Sequence, residues 1–376
     1  MKKVGLATCF LDNYGACLQA YALSNTITSF GMECTILNYT ELEGYYGDSI
    51  AERVKNSTLY NTVRCLLDKK YRKTFKLGKI RRPNFQSFRK KYLPLSTEAY
   101  NEHSDLSDKG FDAVVCGSDQ IWNPTFYGAC NPFYYLSFVP KGVSKIAYAP
   151  SIGLSDIPEC YTDDFKKYLS DFKAISVREN NAVELVKKYA DKEAKWVLDP
   201  TMLLDGSSWS KLIDNKIIEK PYIFCYLFGT QDYYKDAIEN IRNKTGLEVV
   251  IIPFSERDLT NEYTKIYKAG PIEFLSLIKN AEYVLTDSFH ATVFSLLFER
   301  PFYTLLRDND NEEKSMNSRI YSLLSMVDKQ ERCVLKNNVS DFKIEPILDY
   351  DCVRSRLKQL RDDSINFLQN ALEDEK

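Results

Sequence analysis

Short apolar runs that end in polar turns and pass into amphipathic helices recur along this chain. That alternation restricts the fold to parallel strands joined by helical crossovers. Residues 3–9 read as a buried strand that leads through Asp12-Asn13-Tyr14-Gly15 into a helix with Ala16, Ala20 and Leu23 on a narrow apolar stripe. Residues 33–39, 111–116, 145–149 and 174–177 continue the pattern. After the polar stretch Asp205-Gly206-Ser207-Ser208, it resumes with strands at 222–229, 247–253, 284–286 and 302–305 and helices near 231–244 and 271–280. A charged helix is expected over 351–374. With 376 residues the chain has room for roughly two domains of ~150 residues each. The expected fold class is therefore α/β, with two Rossmann-like domains facing a cleft and a C-terminal helix. The first domain would span 1–205, with a basic helical insertion at about 50–100, and the second 206–376. This is the architecture called GT-B in sugar-nucleotide glycosyltransferases.

The chain is organised around the turn Thr286-Asp287-Ser288-Phe289-His290, placed between an apolar strand and a helix with Phe289, Val293, Leu296 and Leu297 on one face. The chain has only two histidines, and His290 sits in this turn. Asp287 or Ser288 can cap the helix, whose first N–H groups would then suit an anion. A histidine there can hold phosphate or carboxylate, or move a proton near neutral pH; it can equally cap its own turn. In Gly117-Ser118-Asp119-Gln120-Ile121-Trp122-Asn123, at a strand's carboxyl end, Ser118, Asp119, Gln120 and Asn123 offer hydrogen bonds to a polyhydroxylated ligand. Trp122 can stack on a sugar face or anchor the turn from inside. Asn13 and Tyr14 follow the first strand in the same way, without the glycine spacing of a dinucleotide site. Arg178, just past a strand, suits bidentate holding of an anion or pairing with Glu179. Arg307 and Arg319 lie soon after the histidine turn, where surface pairing is the ordinary use of an arginine.

Composition excludes several classes. A net charge of −2 argues against nucleic acid as the main partner. The start has no apolar run that reads as a signal peptide, and no later segment approaches ~20 apolar residues, so a cytoplasmic protein is expected. Ten cysteines without a CxxC pair suggest neither a disulfide framework nor zinc. Between Arg64 and Lys91 a run of lysines and arginines faces one acid, Asp68. It can lie against anionic lipid at the inner face of a membrane, or be a solvated helical face.

Taken together, residues 13–23, 115–123, 176–179, 199–201 and 286–302 resemble the polysaccharide pyruvyl transferase family. Ala291 stands where that pattern usually has glycine, and Cys17 where an aliphatic residue is usual. The resemblance implies transfer of the carboxyvinyl group of phosphoenolpyruvate to a sugar of a surface polysaccharide or its lipid-linked precursor. The products would be a pyruvate ketal and phosphate, made with no cofactor and no metal. His290, Arg178 and Asp287 would be catalytic, and Arg178, Ser288, His290, Arg307 and Arg319 would bind the donor. Asn13, Tyr14, Gly117, Ser118, Asp119, Gln120, Trp122 and Asn123 would bind the acceptor. The competing expectations are a nucleotide-sugar glycosyltransferase and a non-catalytic saccharide-binding protein.

Overall fold

A computed structural model describes residues 1–39, 69–307, 316–336, 339 and 350–373. The first part of the expected basic insertion, residues 50–68, and residue 374 of the expected terminal helix lie outside them. The chain divides into two compact units. Unit 1 gathers Met1–Val63, Arg89–Leu203 and Gln359–Lys376; unit 2 gathers Arg64–Phe88 and Leu204–Lys358. The division after Leu203 sits beside the polar stretch at 205–208. Two segments depart from chain order: 64–88 falls with unit 2 and 359–376 with unit 1.

In unit 1 the strands are β1 (Lys3–Ala7), β2 (Glu33–Tyr39), β3 (Leu95–Tyr100), β4 (Ala113–Cys116), β5 (Ser144–Ala147), β6 (Ala174–Val177) and β7 (Lys195–Trp196). They form one parallel sheet in the order β3-β2-β1-β4-β5-β6-β7. Helix α1 (Tyr14–Ser29) crosses over from β1 to β2, and α2 (Lys69–Tyr92) precedes β3. Helices α3 (Thr162–Leu169) and α4 (Asn180–Ala190) flank β6. Every residue of β4 is buried, as a central strand covered on both faces requires.

Unit 2 repeats the plan. Its strands β8 (Tyr222–Tyr226), β9 (Glu248–Ile251), β10 (Thr264–Lys265), β11 (Tyr283–Thr286), β12 (Phe302–Leu305) and β13 (Cys333–Val334) order as β10-β9-β8-β11-β12-β13, all parallel. The helices are α5 (Tyr233–Thr245), α6 (Glu256–Thr260), α7 (Pro271–Lys279), α8 (Phe289–Leu297) and α9 (Ser318–Met326), and α10 (Tyr350–Leu372) closes the chain. Helix α8 is buried over its whole length rather than on one face, which suits its mostly apolar sequence.

The described side chains of α2 show why the basic run is helical. Leu77, Arg81, Phe85 and Phe88 are buried at helical spacing, whereas Lys76, Lys79, Arg82 and Lys90 are exposed. This part of the helix packs within unit 2: Arg81 lies 4.3 Å over the Phe254 ring, and the Asn84 amide donates to Lys268 O at 2.5 Å. Among the described residues no helix is long and apolar enough to cross a membrane.

Candidate functional site

In each sheet the strand order reverses once, between β1 and β4 and between β8 and β11. Ligands of open α/β sheets bind in the crevice beyond the carboxyl ends at such a reversal. The turns Gly117–Gln120 and Asp287–His290 lie at these two places.

In unit 1, Ala7 pairs with Cys116, so the chain leaves β1 and β4 at the same level. Gln19 of α1 ties the two exits together: its Nε2 lies 2.7 Å from both Thr8 Oγ1 and Cys9 O, and its Oε1 accepts the Ser118 N–H at 2.9 Å. Gln19 is fully buried and was not among the expected site residues. Gly117 passes so close to β5 that a Cβ there would sit 1.8 Å from Tyr148 O, and its φ of +134 disfavours other residues. Asn13 caps α1 by accepting the Ala16 N–H at 3.2 Å.

Five of the side chains expected to meet a ligand here are buried. Trp122 is fully buried, stacked on Tyr135 with ring centres 5.1 Å apart and donating to Tyr134 O at 3.2 Å. It anchors the turn from inside and has no face for a sugar. Asn123 is buried, and its Oδ1 accepts from Thr125 N and Oγ1 at 3.1 and 2.7 Å. Arg178 is also buried: its Nε donates to Glu179 at 3.1 Å and its Nη1 to Asp199 at 3.0 Å, with Asp119 at 3.9 Å. Burial opposes its charge, but Glu179, Asp199 and Asp119 prevail and hold the guanidinium more firmly protonated than usual. Arg178 therefore organises carboxylates instead of presenting a fork to a donor. Ser118 is hidden as well, with Oγ 2.8 Å from Ala149 O and 3.1 Å from Asp199 Oδ2, and Tyr14 is buried. Asn13 is exposed, and Asp119 and Gln120 are partly so; these can meet a ligand.

In unit 2, Thr286 pairs with Tyr226 and its hydroxyl donates to Tyr226 O at 2.7 Å, which aligns the exits of β11 and β8. Asp287 follows and is buried. Its carboxylate accepts the N–H groups of Phe228 (3.0 Å) and Gly229 (2.6 Å) and lies 3.2 Å from the Tyr234 hydroxyl. Arg307 completes this shell: Nε is 3.1 Å from Asp287 Oδ2, and Nη2 donates to Asp287 O at 3.0 Å. So Asp287 is engaged by the β8 loop and Arg307 and does not cap α8. Ser288 caps it, accepting the Ala291 N–H at 3.4 Å. His290 follows in the first helical turn, buried with a small exposed fraction of 8%. Arg307 keeps 28% of its side chain exposed and stacks on Phe228, 4.8 Å from the ring centre. Arg319 lies on α9, donating to Met316 O at 3.2 Å. Thus Asp287, Ser288, His290 and Arg307 gather at one carboxyl edge, with Phe228, Gly229 and Tyr234 as partners that residue-type reasoning did not single out. Among the described residues no three His, Cys, Asp or Glu side chains gather as a metal site.

A family model described as polysaccharide pyruvyl transferase matches residues 13–309. The chain belongs to that family. This makes it a polysaccharide-modifying transferase, and the match includes the turns at 117–120 and 287–290. No curated protein matches the sequence. Among solved structures, the chain is similar to a UDP-GlcNAc 2-epimerase from Methanocaldococcus jannaschii, with a TM-score of 0.50 and 12% identity over 95% of this chain and 92% of that one. A putative UDP-N-acetylglucosamine 2-epimerase from Listeria monocytogenes gives 0.49 and 10%, over 99% and 91%. At such identity the first likeness speaks for the fold alone, two Rossmann-like units of GT-B type.

Within the pyruvyl transferase pattern, the two departures are accommodated locally. Ala291 is buried and supplies the N–H that Ser288 accepts. Cys17 is buried in α1, with its thiol 3.2 Å from Leu11 O.

Proposed function

We propose that this pyruvyl transferase moves the carboxyvinyl group of phosphoenolpyruvate onto two hydroxyls of a saccharide, forming a pyruvate ketal and releasing phosphate. The observation that carries the reading is the gathering of Arg307, Ser288 and His290 at the carboxyl edge of unit 2, in a chain of this family. Phosphoenolpyruvate brings a carboxylate and a phosphate. A partly exposed guanidinium and the first turn of a helix are the groups that hold such anions.

Carbon 2 of the donor becomes electrophilic when its methylene carbon takes a proton, which His290 as imidazolium can give. One sugar hydroxyl then adds to carbon 2 and loses its proton. The C–O bond to phosphate breaks as the phosphate leaves, and the second hydroxyl adds with loss of its own proton. Of the two protons released, one offsets that taken by the methyl group and the other goes with the phosphate. Asp119, Gln120 and Asn13 in unit 1 are the exposed polar groups available to the acceptor. Asp287 acts through Arg307 and the β8 loop, and Arg178 through Asp119 and Asp199, so both are positioning residues here.

The outward lysines and arginines of α2 support an acceptor carried on anionic lipid, at the cytoplasmic face of a membrane. Sedimentation with phosphatidylglycerol vesicles but not phosphatidylcholine vesicles would support that part. The central test is phosphate release from phosphoenolpyruvate with a candidate glycan, together with a mass gain of one pyruvyl ketal on the glycan. His290→Ala should lose both while keeping the wild-type melting temperature. Wild-type turnover by that variant removes the proton role. Stabilisation by UDP sugars without any response to phosphoenolpyruvate overturns the donor assignment.

A further inference from the structure

Unit 2 contains a cavity of about 250 Å³ beyond the ends of β8 and β9, beside the Asp287 cluster, with which its lining shares only Tyr234. Its apolar lining includes Ile238 and Ile251, both buried in the unit's core, with Tyr234 and Tyr263 also against it. Lys235 and Arg257, both exposed, line it too, so the space opens on their side. We propose that this cavity binds a single-ring aromatic anion.

The size and the charge each limit the ligand. An apolar cavity of about 150 Å³ accepts benzene, so this one has room for one ring and a substituent but not for a long chain. The nearby acids already accept hydrogen bonds within the unit. Asp258, also in the lining, accepts the Phe254 and Ser255 N–H groups at 2.8 Å each, with Arg257 Nε at 3.9 Å. Glu239 takes the Tyr263 hydroxyl at 2.9 Å and faces Arg242 at 3.5 Å. Lys235, together with Arg257, which also contacts Asp258 and the Gly229 carbonyl, supplies the positive charge of the mouth for a phosphate or carboxylate on the ring.

The cavity is also joined to the proposed donor site. Arg257 Nη2 donates to Gly229 O at 3.0 Å, Gly229 N–H donates to Asp287, and the Tyr234 hydroxyl that touches Asp287 belongs to the cavity wall. An anion that engages Arg257 competes with the Gly229 carbonyl and so acts on the loop that holds Asp287. Binding itself does not rest on the proposed reaction; only this connection does.

The test is calorimetric titration of the full chain with phenyl phosphate, against inorganic phosphate alone and phenol alone. Phenyl phosphate should bind at least ten-fold more tightly than either half. Lys235→Glu should weaken it five-fold or more, and Ile238→Trp, which fills the space, should abolish it. Saturating phosphoenolpyruvate should leave a binding event in place. Uridine monophosphate is a second arm: competition with phenyl phosphate points to a pyrimidine nucleotide as the source, and its absence to an aryl phosphate. Equal affinity for phenyl phosphate and inorganic phosphate overturns the proposal. So does an unchanged Lys235→Glu affinity, or complete displacement by phosphoenolpyruvate. Loss of phosphate release in the reaction assay would sink the proposed function and leave this site standing.

Discussion

The guanidinium carbon of Arg307 lies 4.8 Å from the centre of the Phe228 ring while its Nε faces Asp287 at 3.1 Å. Phe228 in turn packs against Phe254 at 4.6 Å, and Phe254 carries Arg81 at 4.3 Å. Two cations thus bracket two rings, and the arginine proposed to meet the donor is steered by both a carboxylate and an aromatic face. Such a stack contributes about 0.5–2 kcal/mol. Phe228→Leu should therefore raise the KM for phosphoenolpyruvate roughly 2- to 30-fold with little change in kcat, and Phe228→Tyr should restore it. Steady-state kinetics on both variants decide, and an unchanged KM in the leucine variant removes the steering role.

Removing Arg178 should act on stability before it acts on binding. Its side chain and those of Asp199 and Glu179 are all about 1% exposed or less. Breaking a buried ion pair by deleting one partner costs about 3–5 kcal/mol. Urea denaturation of Arg178→Ala should show that loss, and the KM for phosphoenolpyruvate, measured on what remains folded at low temperature, should be near wild type. A variant of normal stability that no longer binds the donor would return Arg178 to the role of anion clamp.

Trp122 should prove indifferent to the acceptor. Trp122→Phe keeps an aromatic partner for Tyr135 and should leave the acceptor KM unchanged. Trp122→Ala should cost about 3–5 kcal/mol of folding stability. An acceptor KM that rises in the phenylalanine variant would put a sugar back against the indole.

Two glycines of positive φ separate strain from collision. Gly117→Ala drives a methyl group into the Tyr148 carbonyl at 1.8 Å, whereas Gly31→Ala, at a φ of +76, meets nothing within 4 Å. The second change should cost about 1 kcal/mol and lower the melting temperature slightly. The first should prevent accumulation of folded protein.

Thiol chemistry should report burial. Burial pushes the Cys17 thiol from 9.0 up to about 12, with Arg89 opposing the shift, and burial does the same to Cys34. Iodoacetamide at pH 8 should label the exposed Cys160 and Cys352 and spare Cys17 and Cys34 in the native protein, as read by peptide mass spectrometry. The unfolded chain releases these protons near pH 9 and the folded chain only near 12. Their contribution to stability is thus full below about pH 9 and is lost as pH rises through that window.

The central strands and the turns that follow them were legible because buried parallel strands are near-continuous apolar runs, and Gly117–Gln120 and Asp287–His290 break those runs abruptly. The edges were not legible. β7, β10 and β13 have two residues each, too few for any period, and β3 is the half-exposed Leu-Ser-Thr-Glu-Ala-Tyr. Gln19 escaped notice because a glutamine in a helix looks like a surface residue, and its partner Ser118 lies 99 positions away. Arg178 misled for a related reason. Glu179 beside it was visible, but Asp119 and Asp199 are brought to it only by the sheet.

The two out-of-order segments bear on how this enzyme can be divided. A break after Leu203 yields a front piece without the helix whose Ser364 accepts the Leu198 N–H and whose Leu372 carbonyl is held by Lys2. The same front piece carries off the stretch with Arg81 and Asn84, which belongs against Phe254 and Lys268 of the rear piece. Neither half is a self-sufficient gene fragment. A chimera that exchanges one unit for a relative's must therefore graft several separated segments together, and single-crossover recombinants should come out insoluble.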